Sequence, residues 1–213
     1  MKQPYLGIIH RLDQPVEGLL VFAKQKKAAA DLTAQLQRQG EAGSLHKHYY
    51  AVVCGKPEQN QGKLVDYMYK SAENLAVIVE NPDAGERFDV RQSAGKAPVG
   101  NTAKKAVLEY RISRKRQIAQ GKVCNIPQND LEGSETIIAL ADINILTGRF
   151  HQIRAQMAAI GHPLLGDDQY GDRAFNKQHK TRRLMLCATE LRFSLEGRWA
   201  YLNDLKLTAK PSF

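Results

Sequence analysis

Asp13 is the acidic residue whose surroundings suit chemistry. It lies in LGIIHRLDQPVEGLLVFAK, residues 6 to 24, where His10, Arg11 and Asp13 crowd into one charged turn between Leu6, Ile8 and Ile9 and the run Leu19, Leu20, Val21 and Phe22. Apolar runs of this kind are expected as buried strands, which would hold the polar residues at strand ends, where a rigid scaffold presents functional loops. A carboxylate so placed can act as a nucleophile. Asp13 is also one of 22 acidic residues and is followed by Gln-Pro, a pattern that suits a plain turn.

A second stretch, TGRFHQIRAQMAAIGHPLLGDDQY from Thr147 to Tyr170, sets His151 and Arg154 three residues apart, hence as neighbours on a helix. Ile153, Met157 and Ile160 recur at helical spacing, with Thr147 as the expected cap and Gly161 as the stop. Arg154 then stands beside the apolar seam and should be partly buried. An unpaired buried charge costs several kcal/mol, so its guanidinium needs a carboxylate, and the bidentate geometry suits the aiming of a nucleophilic Asp. A structural salt bridge without catalytic consequence meets the same need.

Strand and helix signals supply the frame that must position these residues. Gly18 to Ala23 reads as a buried strand, and Lys26 to Gln39 as a helix with Ala28, Leu32 and Leu36 on one face and Gly40 closing it. Lys47 to Cys54, KHYYAVVC, joins aromatic and β-branched residues and ends at Gly55 and Pro57, as a strand does. Further strands are expected at Leu64 to Tyr69, Leu75 to Val79, Val107 to Ser113, Thr136 to Leu146 and Leu184 to Phe193, with Trp199 to Leu207 closing the domain. Asn81 to Thr102 reads as loop, and Arg114 to Glu135 as a polar insert with no core face. Strands dominate and helices fall irregularly among them, which predicts an α+β fold with a mixed, mainly antiparallel sheet and flanking helices.

Composition bounds what such a fold does. A chain of 213 residues suits a single domain with a core that needs no staples. Cys54, Cys124 and Cys187 are far apart and form no Cys-x-x-Cys pair, which fits a reducing compartment and argues against a zinc knuckle. No apolar run reaches the roughly 18 residues of a membrane span, and Met1 to Tyr5 lacks the apolar core of a signal peptide, so a cytoplasmic protein is expected. The formal charge of +9 points to a polyanionic partner, nucleic acid first, because lysines and arginines that neutralise phosphates release condensed counterions. The cluster Arg114, Lys115, Arg116 and Lys122 could follow such a backbone or merely be solvated.

His10-Arg11-Leu12-Asp13, then Gly18 to Lys24, then Lys47-His48-Tyr49-Tyr50-Ala51 leading to Gly55, then Gly148-Arg149-Phe150-His151-Gln152-Ile153-Arg154, then Gly161 to Asp167 with Tyr170-Gly171 resemble, in that order, the RluA-type family of RNA pseudouridine synthases. The resemblance runs from residue 6 to about 193. It implies isomerisation of a uridine in rRNA or tRNA to pseudouridine, without metal or cofactor, by a monomer whose cleft crosses the sheet. The family's catalytic aspartate falls on Asp13, its active-site tyrosine on Tyr49 and its aspartate-pairing arginine on Arg154. Arg11 falls where the family fills the gap left by an extruded base, and His10, Arg149 and His151, with Lys115 and Arg116 of the basic cluster, are expected to meet RNA.

Departures are specific. Val16, Glu17 and Gly18 stand where the family usually has Thr-Ser-Gly, and Phe150 replaces the usual Thr or Ser. A Glu17 carboxylate near Asp13 would raise the nucleophile's pKa, so Glu17 is expected to point away. Such catalytic domains ordinarily carry a strand and an Asn-Lys-Pro-like loop upstream, so residues 1–213 are expected to be one catalytic domain lacking its first strand and any N-terminal RNA-binding module. Two other readings stand beside the enzyme: an RNA-binding protein of the same fold with impaired chemistry, and a metal-dependent phosphoesterase built on His10, Asp13, His151, Asp167, Asp168 and Asp172. Gly166-Asp167-Asp168 itself reads chiefly as turn chemistry.

Overall fold

A computed structural model describes residues 4–37, 44–55, 57–79, 103–119, 122–125, 137–181 and 183–213, with backbone alone at 37, 44, 114–119, 122–125 and 137. In chain order the elements are β1 (Gly7–Ile8), β2 (Glu17–Gly18), β3 (Phe22–Ala23), α1 (Lys26–Gln37), β4 (Ser44–Cys54), β5 (Gln61–Lys70), β6 (Ala76–Val79), β7 (Lys104–Ala119), β8 (Lys122–Asn125), β9 (Ile137–Ile145), α2 (Gln152–Ala159), α3 (Arg173–Gln178), β10 (Leu186–Ser194), a 3-10 helix (Gly197–Leu202) and β11 (Lys206–Thr208). The main sheet runs β11-β10-β4-β9-β7-β5-β6, with β8 against β7 and β2 against β10. Among the described strands only the β2–β10 pairing is parallel, so the sheet is mixed and mainly antiparallel, and the fold α+β as expected.

The core follows from alternation on β4. Tyr49, Ala51 and Val53 point to one face and meet Ala139, Ala141 and Ile143 of β9, Leu108 and Tyr110 of β7, and Ile153 and Met157 of α2. Val52 points to the other face, against Ile138 and Leu165. Both faces of the strand are covered, which is why AVVC reads as a continuous apolar run. The alanines at the centre leave room for α2, so added methyl groups at Ala141, which has no exposed surface, would cost about 1–3 kcal/mol by overpacking. α1 packs Ala28 and Leu32 against Ile9, Ala23, Phe193 and Leu195 in a separate cluster.

α2 departs from a simple amphipathic helix. Gln152, Ile153, Arg154, Ala155, Gln156 and Met157 are all buried, whereas Ile160 is exposed, because the helix is sunk between the sheet and the segment that follows it rather than laid on a surface. Thr147 is not its cap. The Thr147 hydroxyl accepts from Val107 N–H at 2.8 Å and donates to Gln152 Oε1 at 2.9 Å, while His151 takes the N-cap position in a left-handed conformation. Gly161 ends the helix at φ +81, where a side chain would be strained.

Three further expectations are corrected. Gly18 to Ala23 is not one buried strand but parts of two two-residue strands, and Leu6, Ile8, Leu20 and Phe22 are exposed, since β1 pairs only with β3 in a small ribbon of its own. The polar insert begins as sheet: β7 continues to Ala119 and turns back through β8, with Arg116 opposite Asn125. Polar residues on a hairpin that extends past the core need no apolar face, so periodicity had nothing to detect there. The expected loop from Asn81 to Thr102 lies outside the described residues, as does Gly40.

Candidate active site

The charged turn opens onto a cavity of about 520 Å³, which is of ligand size. Its walls come from distant parts of the chain: His10, Arg11, Leu12 and Asp13 from the turn, Lys47 and Tyr49 from β4, Lys70 from β5, Arg149 and Phe150 from the loop before α2, and Ile153 and Arg154 from α2 itself. Asp13, Tyr49 and Arg154 therefore share one hollow, together with Arg11, His10 and Arg149. His151 is not in the wall, yet its Nε2 comes within 3.9 Å of Asp13 Oδ2. Lys115 and Arg116 lie on β7 opposite Ala139 and Ile138, and their side chains are outside the described residues.

The partner of Arg154 is not the one expected. Arg154 donates through Nε to Asp167 Oδ2 at 2.7 Å and through Nη2 to Asp167 Oδ1 at 2.8 Å, and Nη2 also reaches Gln169 Oε1 at 2.8 Å. No ion pair within 4.0 Å joins Arg154 to Asp13 among the described residues. Asp167 is thus far more than a turn former: its side chain is fully buried and also accepts from the backbone N–H groups of Gln169 and Tyr170. Burial alone would raise its pKa, but the bonds from Arg154 and these two N–H groups outweigh that and hold it low. The same physics that demanded a carboxylate for Arg154 could have pointed to Asp167, thirteen residues on and followed by a turn that folds back.

Asp13 is left with a different balance. Burial raises its pKa above the ordinary 3.8, and the positive charges of Arg154 and Arg11 recover only part of this, with Asp167 adding to the rise. Arg154 does lower the Asp13 pKa, as a nearby cation must, but burial outweighs it and the net shift is upward. Glu17 plays no part: its carboxylate accepts from Ser212 N–H at 2.7 Å and from the Ser212 hydroxyl, which turns it toward the C-terminal segment.

Tyr49 is buried at the cavity floor, and burial followed by the nearby Asp13 charge pushes its phenol far up, so it stays protonated at neutral pH. His10 accepts from Val21 N–H through Nε2 at 3.3 Å, leaving a buried Nδ1 with no hydrogen-bond partner among the described residues. Burial and then Lys47 press its pKa down to about 4, against a smaller upward contribution from the Arg11 backbone. Lys47 is itself pushed down by burial, and no sequence signal beyond its place in the KHYYA run pointed to the cavity. Arg149 is anchored by its Nε to the Lys105 carbonyl at 2.8 Å.

His151 is tightly constrained. Its backbone lies at φ 49, a left-handed conformation that costs a non-glycine residue about 1–3 kcal/mol and persists only where its surroundings enforce it. Its ring stacks on Phe150 with centroids 3.8 Å apart, and Nδ1 is 2.9 Å from the Tyr170 hydroxyl. Two of the six residues named for the metal-dependent alternative are engaged elsewhere, Asp167 by Arg154 and Asp172 as the cap of α3 through the N–H groups of Ala174 and Phe175. Among the described residues no three His, Cys, Asp or Glu side chains are grouped to hold a metal ion.

A family profile described as RNA pseudouridylate synthase matches residues 1–159 of the chain. The chain belongs to the RNA pseudouridylate synthase family. Curated RNA pseudouridine synthases resemble it over most of its length. A tRNA pseudouridine synthase C of Vibrio cholerae is 32% identical over 191 residues, 87% of this chain and 65% of that protein. A dual-specificity RNA pseudouridine synthase RluA of Vibrio vulnificus is 33% identical over 192 residues, 89% of this chain and 61% of that one. A chloroplastic RNA pseudouridine synthase 2 of Oryza sativa subsp. japonica is 31% identical over 165 residues, 78% of this chain and 29% of that protein. The chain thus spans between 29% and 65% of the length of these relatives. The fold is that of human RNA Pseudouridylate Synthase Domain Containing 1, with TM-score 0.68 and 18% identity, over 98% of this chain and 70% of that one. The RluA-type resemblance read from the motifs holds. Asp13, Tyr49 and Arg154 all fall within the span matched to the pseudouridylate synthase profile, whereas Asp167 and Tyr170 lie beyond its end.

Proposed function

We propose that this chain, acting as one cytoplasmic, monomeric catalytic domain, isomerises a uridine in rRNA or tRNA to pseudouridine. The observation that carries this reading is the meeting of Asp13 and Tyr49 in one 520 Å³ cavity rimmed by Arg11, Lys47, Lys70 and Arg149. Cationic side chains around the hollow suit the phosphates on either side of a single nucleotide. A base stacked in a helix is out of reach, so the uridine is flipped at a cost of a few kcal/mol, and Arg11, exposed beside Asp13, is suited to stack where the base was.

The ionised Asp13 then attacks the ribose or takes a proton from it, and the N1–C1′ bond breaks with its electron pair going to uracil. The freed base turns against the Tyr49 ring and its C5 bonds to C1′, which releases the Asp13 carboxylate if it had bonded to the ribose or draws back the proton it had taken; the C5 proton is then lost and N1 is protonated. Atoms balance without any other reactant. Because burial keeps the Tyr49 phenol protonated, it takes part through its O–H rather than as a standing base. Incubating RNA tritiated at uracil C5 with the parent protein releases tritium to water, and Asp13→Asn abolishes the release. Failure of the parent to release tritium from total cellular RNA would sink the reading.

A further inference from the structure

With Arg154 occupied by Asp167, the polar group brought up to the Asp13 carboxylate is the imidazole of His151, its Nε2 3.9 Å from Oδ2. The ring proton is assigned by giving the buried Tyr170 hydroxyl proton an acceptor in the chain of contacts behind it. Ala76 N–H donates to the Tyr170 hydroxyl oxygen at 2.6 Å. That leaves the single hydroxyl proton of Tyr170 for its other contact, His151 Nδ1 at 2.9 Å. With that proton given to Nδ1, the neutral ring carries its own on Nε2, the atom 3.9 Å from Asp13 Oδ2.

The ring has little freedom to do otherwise. Phe150 stacks on one face with planes 21° apart, and Tyr170 meets the ring edge-on at 89°. The left-handed backbone at His151 fixes where the side chain leaves the loop, and Gln152 secures that loop by accepting from Arg149 N–H and donating to the Val107 carbonyl. Tyr170 in turn is anchored to β6 and lies in the cluster formed by Met68, Ala76, Ile78 and Ala106. A strained backbone, a stacked ring and the Tyr170 contact together hold Nε2 3.9 Å from one carboxylate oxygen, a gap that a small shift on RNA binding closes to a hydrogen bond.

We propose that Tyr170 and His151 form a positioning relay for Asp13, in which Ala76 N–H and the Tyr170 hydroxyl fix His151 as its Nε2–H tautomer and that N–H orients one oxygen of the Asp13 carboxylate, leaving the other for the ribose. The proposal rests on the reading of Asp13 as the reacting group. His151 is a positioning residue in this account and Tyr170 acts through it. Phe150, which stands where the family usually has a small hydroxyl residue, contributes by clamping the ring.

Two substitutions separate the relay from simple packing. His151→Gln places an amide N–H near the position of Nε2, whereas His151→Asn ends short of Asp13 while tolerating the left-handed backbone well. In single-turnover assays on RNA, His151→Gln keeps the rate within a few-fold. His151→Asn and Tyr170→Phe lower it on the order of 10²-fold, the scale of a misaimed reacting group, with RNA affinity unchanged. Independently of activity, ¹⁵N spectra of the free protein show His151 protonated at Nε2, and Tyr170→Phe moves it to a mixture of tautomers. Carbon-detected titration of Asp13 shows its pKa rising in His151→Asn and not in His151→Gln. A parent protein protonated at Nδ1, or an Asp13 titration that His151→Asn leaves unmoved, overturns the relay. Loss of tritium release from the parent with both spectroscopic results as stated would instead fault the reaction and leave the relay standing.

Discussion

Arg154 and Asp167 form a fork-to-fork ion pair, with contacts of 2.7 and 2.8 Å, inside a wall of the cavity that holds Asp13. Both side chains are essentially buried, at 5% and 0% exposure, so neither charge can be left alone without a large penalty. Asp167→Ala therefore destabilises the fold by about 3–5 kcal/mol in urea unfolding. Asp167→Asn keeps the hydrogen-bond acceptor and costs less. The pair's contribution is present at neutral pH and is lost as pH falls through the lowered pKa of Asp167, below its ordinary 3.8, not near neutrality. A stability profile that instead sags between about pH 5 and 7 would contradict the pairing.

Burial, more than that pair, sets the ionisation of Asp13. Since burial raises the Asp13 pKa and Arg154 and Arg11 offset it only partly, the acid limb of kcat/KM lies above the ordinary carboxylate value of 3.8. Activity falls as pH drops through that limb, because the protonated carboxyl cannot act. Arg11→Ala removes one of the two cations and moves the limb to higher pH. A pH–rate profile for the two proteins checks this, and a limb that stays put in Arg11→Ala rules out its influence on Asp13.

Gly18 is a second point of control. It has φ +124 and pairs with Ala188 of β10, and a Cβ built on it would collide with the Ala188 carbonyl oxygen and lie 2.6 Å from the Ala188 nitrogen. Gly18→Ala thus breaks the parallel pairing that ties the end of the Asp13 turn to the main sheet. The expected loss exceeds about 1 kcal/mol of stability, with a drop in turnover larger than the loss of RNA affinity. Equal thermal midpoints for parent and variant would show that the turn is held some other way.

How much of this is legible in the residues alone follows from what each signal encodes. β4 is readable because KHYYAVVC carries its burial in its own residue types, and α1 because Ala28, Leu32 and Leu36 share one face. The ribbon of β1 and β3 misleads, since Leu6, Ile8 and Phe22 are apolar yet exposed, and hydrophobicity alone cannot say which apolar residues find a partner surface. Asp13, Tyr49 and Arg154 stand out by motif and do share a cavity. The demand of Arg154 for a carboxylate is legible and admits Asp167 as well as Asp13, but only the third dimension chooses between the two aspartates. The geometry of His151 is equally hidden, for it depends on a left-handed backbone and on Tyr170, nineteen residues away.

Tyr49 offers a test of how the base is handled. Burial and the Asp13 charge keep its phenol protonated, so its O–H, and not a phenolate, is what the reaction can use. Tyr49→Phe retains the flat ring against which uracil turns and removes only the hydroxyl. Turnover then falls by roughly 10²-fold or more, the scale of losing a positioned proton carrier, while KM changes little. A rise in KM matching the fall in turnover would assign the hydroxyl to binding alone.

The basic cluster on the β7–β8 hairpin makes a separable claim about RNA. Lys115 and Arg116 lie where β7 runs from its pairing with β9 into the antiparallel turn-back with β8, away in sequence from every cavity residue. If RNA follows this hairpin, Lys115→Glu with Arg116→Glu weakens binding to all sequences alike and flattens the plot of log affinity against log salt by roughly 0.7–0.9 for each phosphate that is no longer neutralised. Arg11→Ala behaves oppositely: its side chain serves the flipped nucleotide, so the rate falls more than the affinity and the salt slope is nearly kept. Filter binding from about 50 to 200 mM salt with single-turnover rates on the same RNA distinguishes the two, and an unchanged slope in the charge reversal would place the RNA on another face of the sheet.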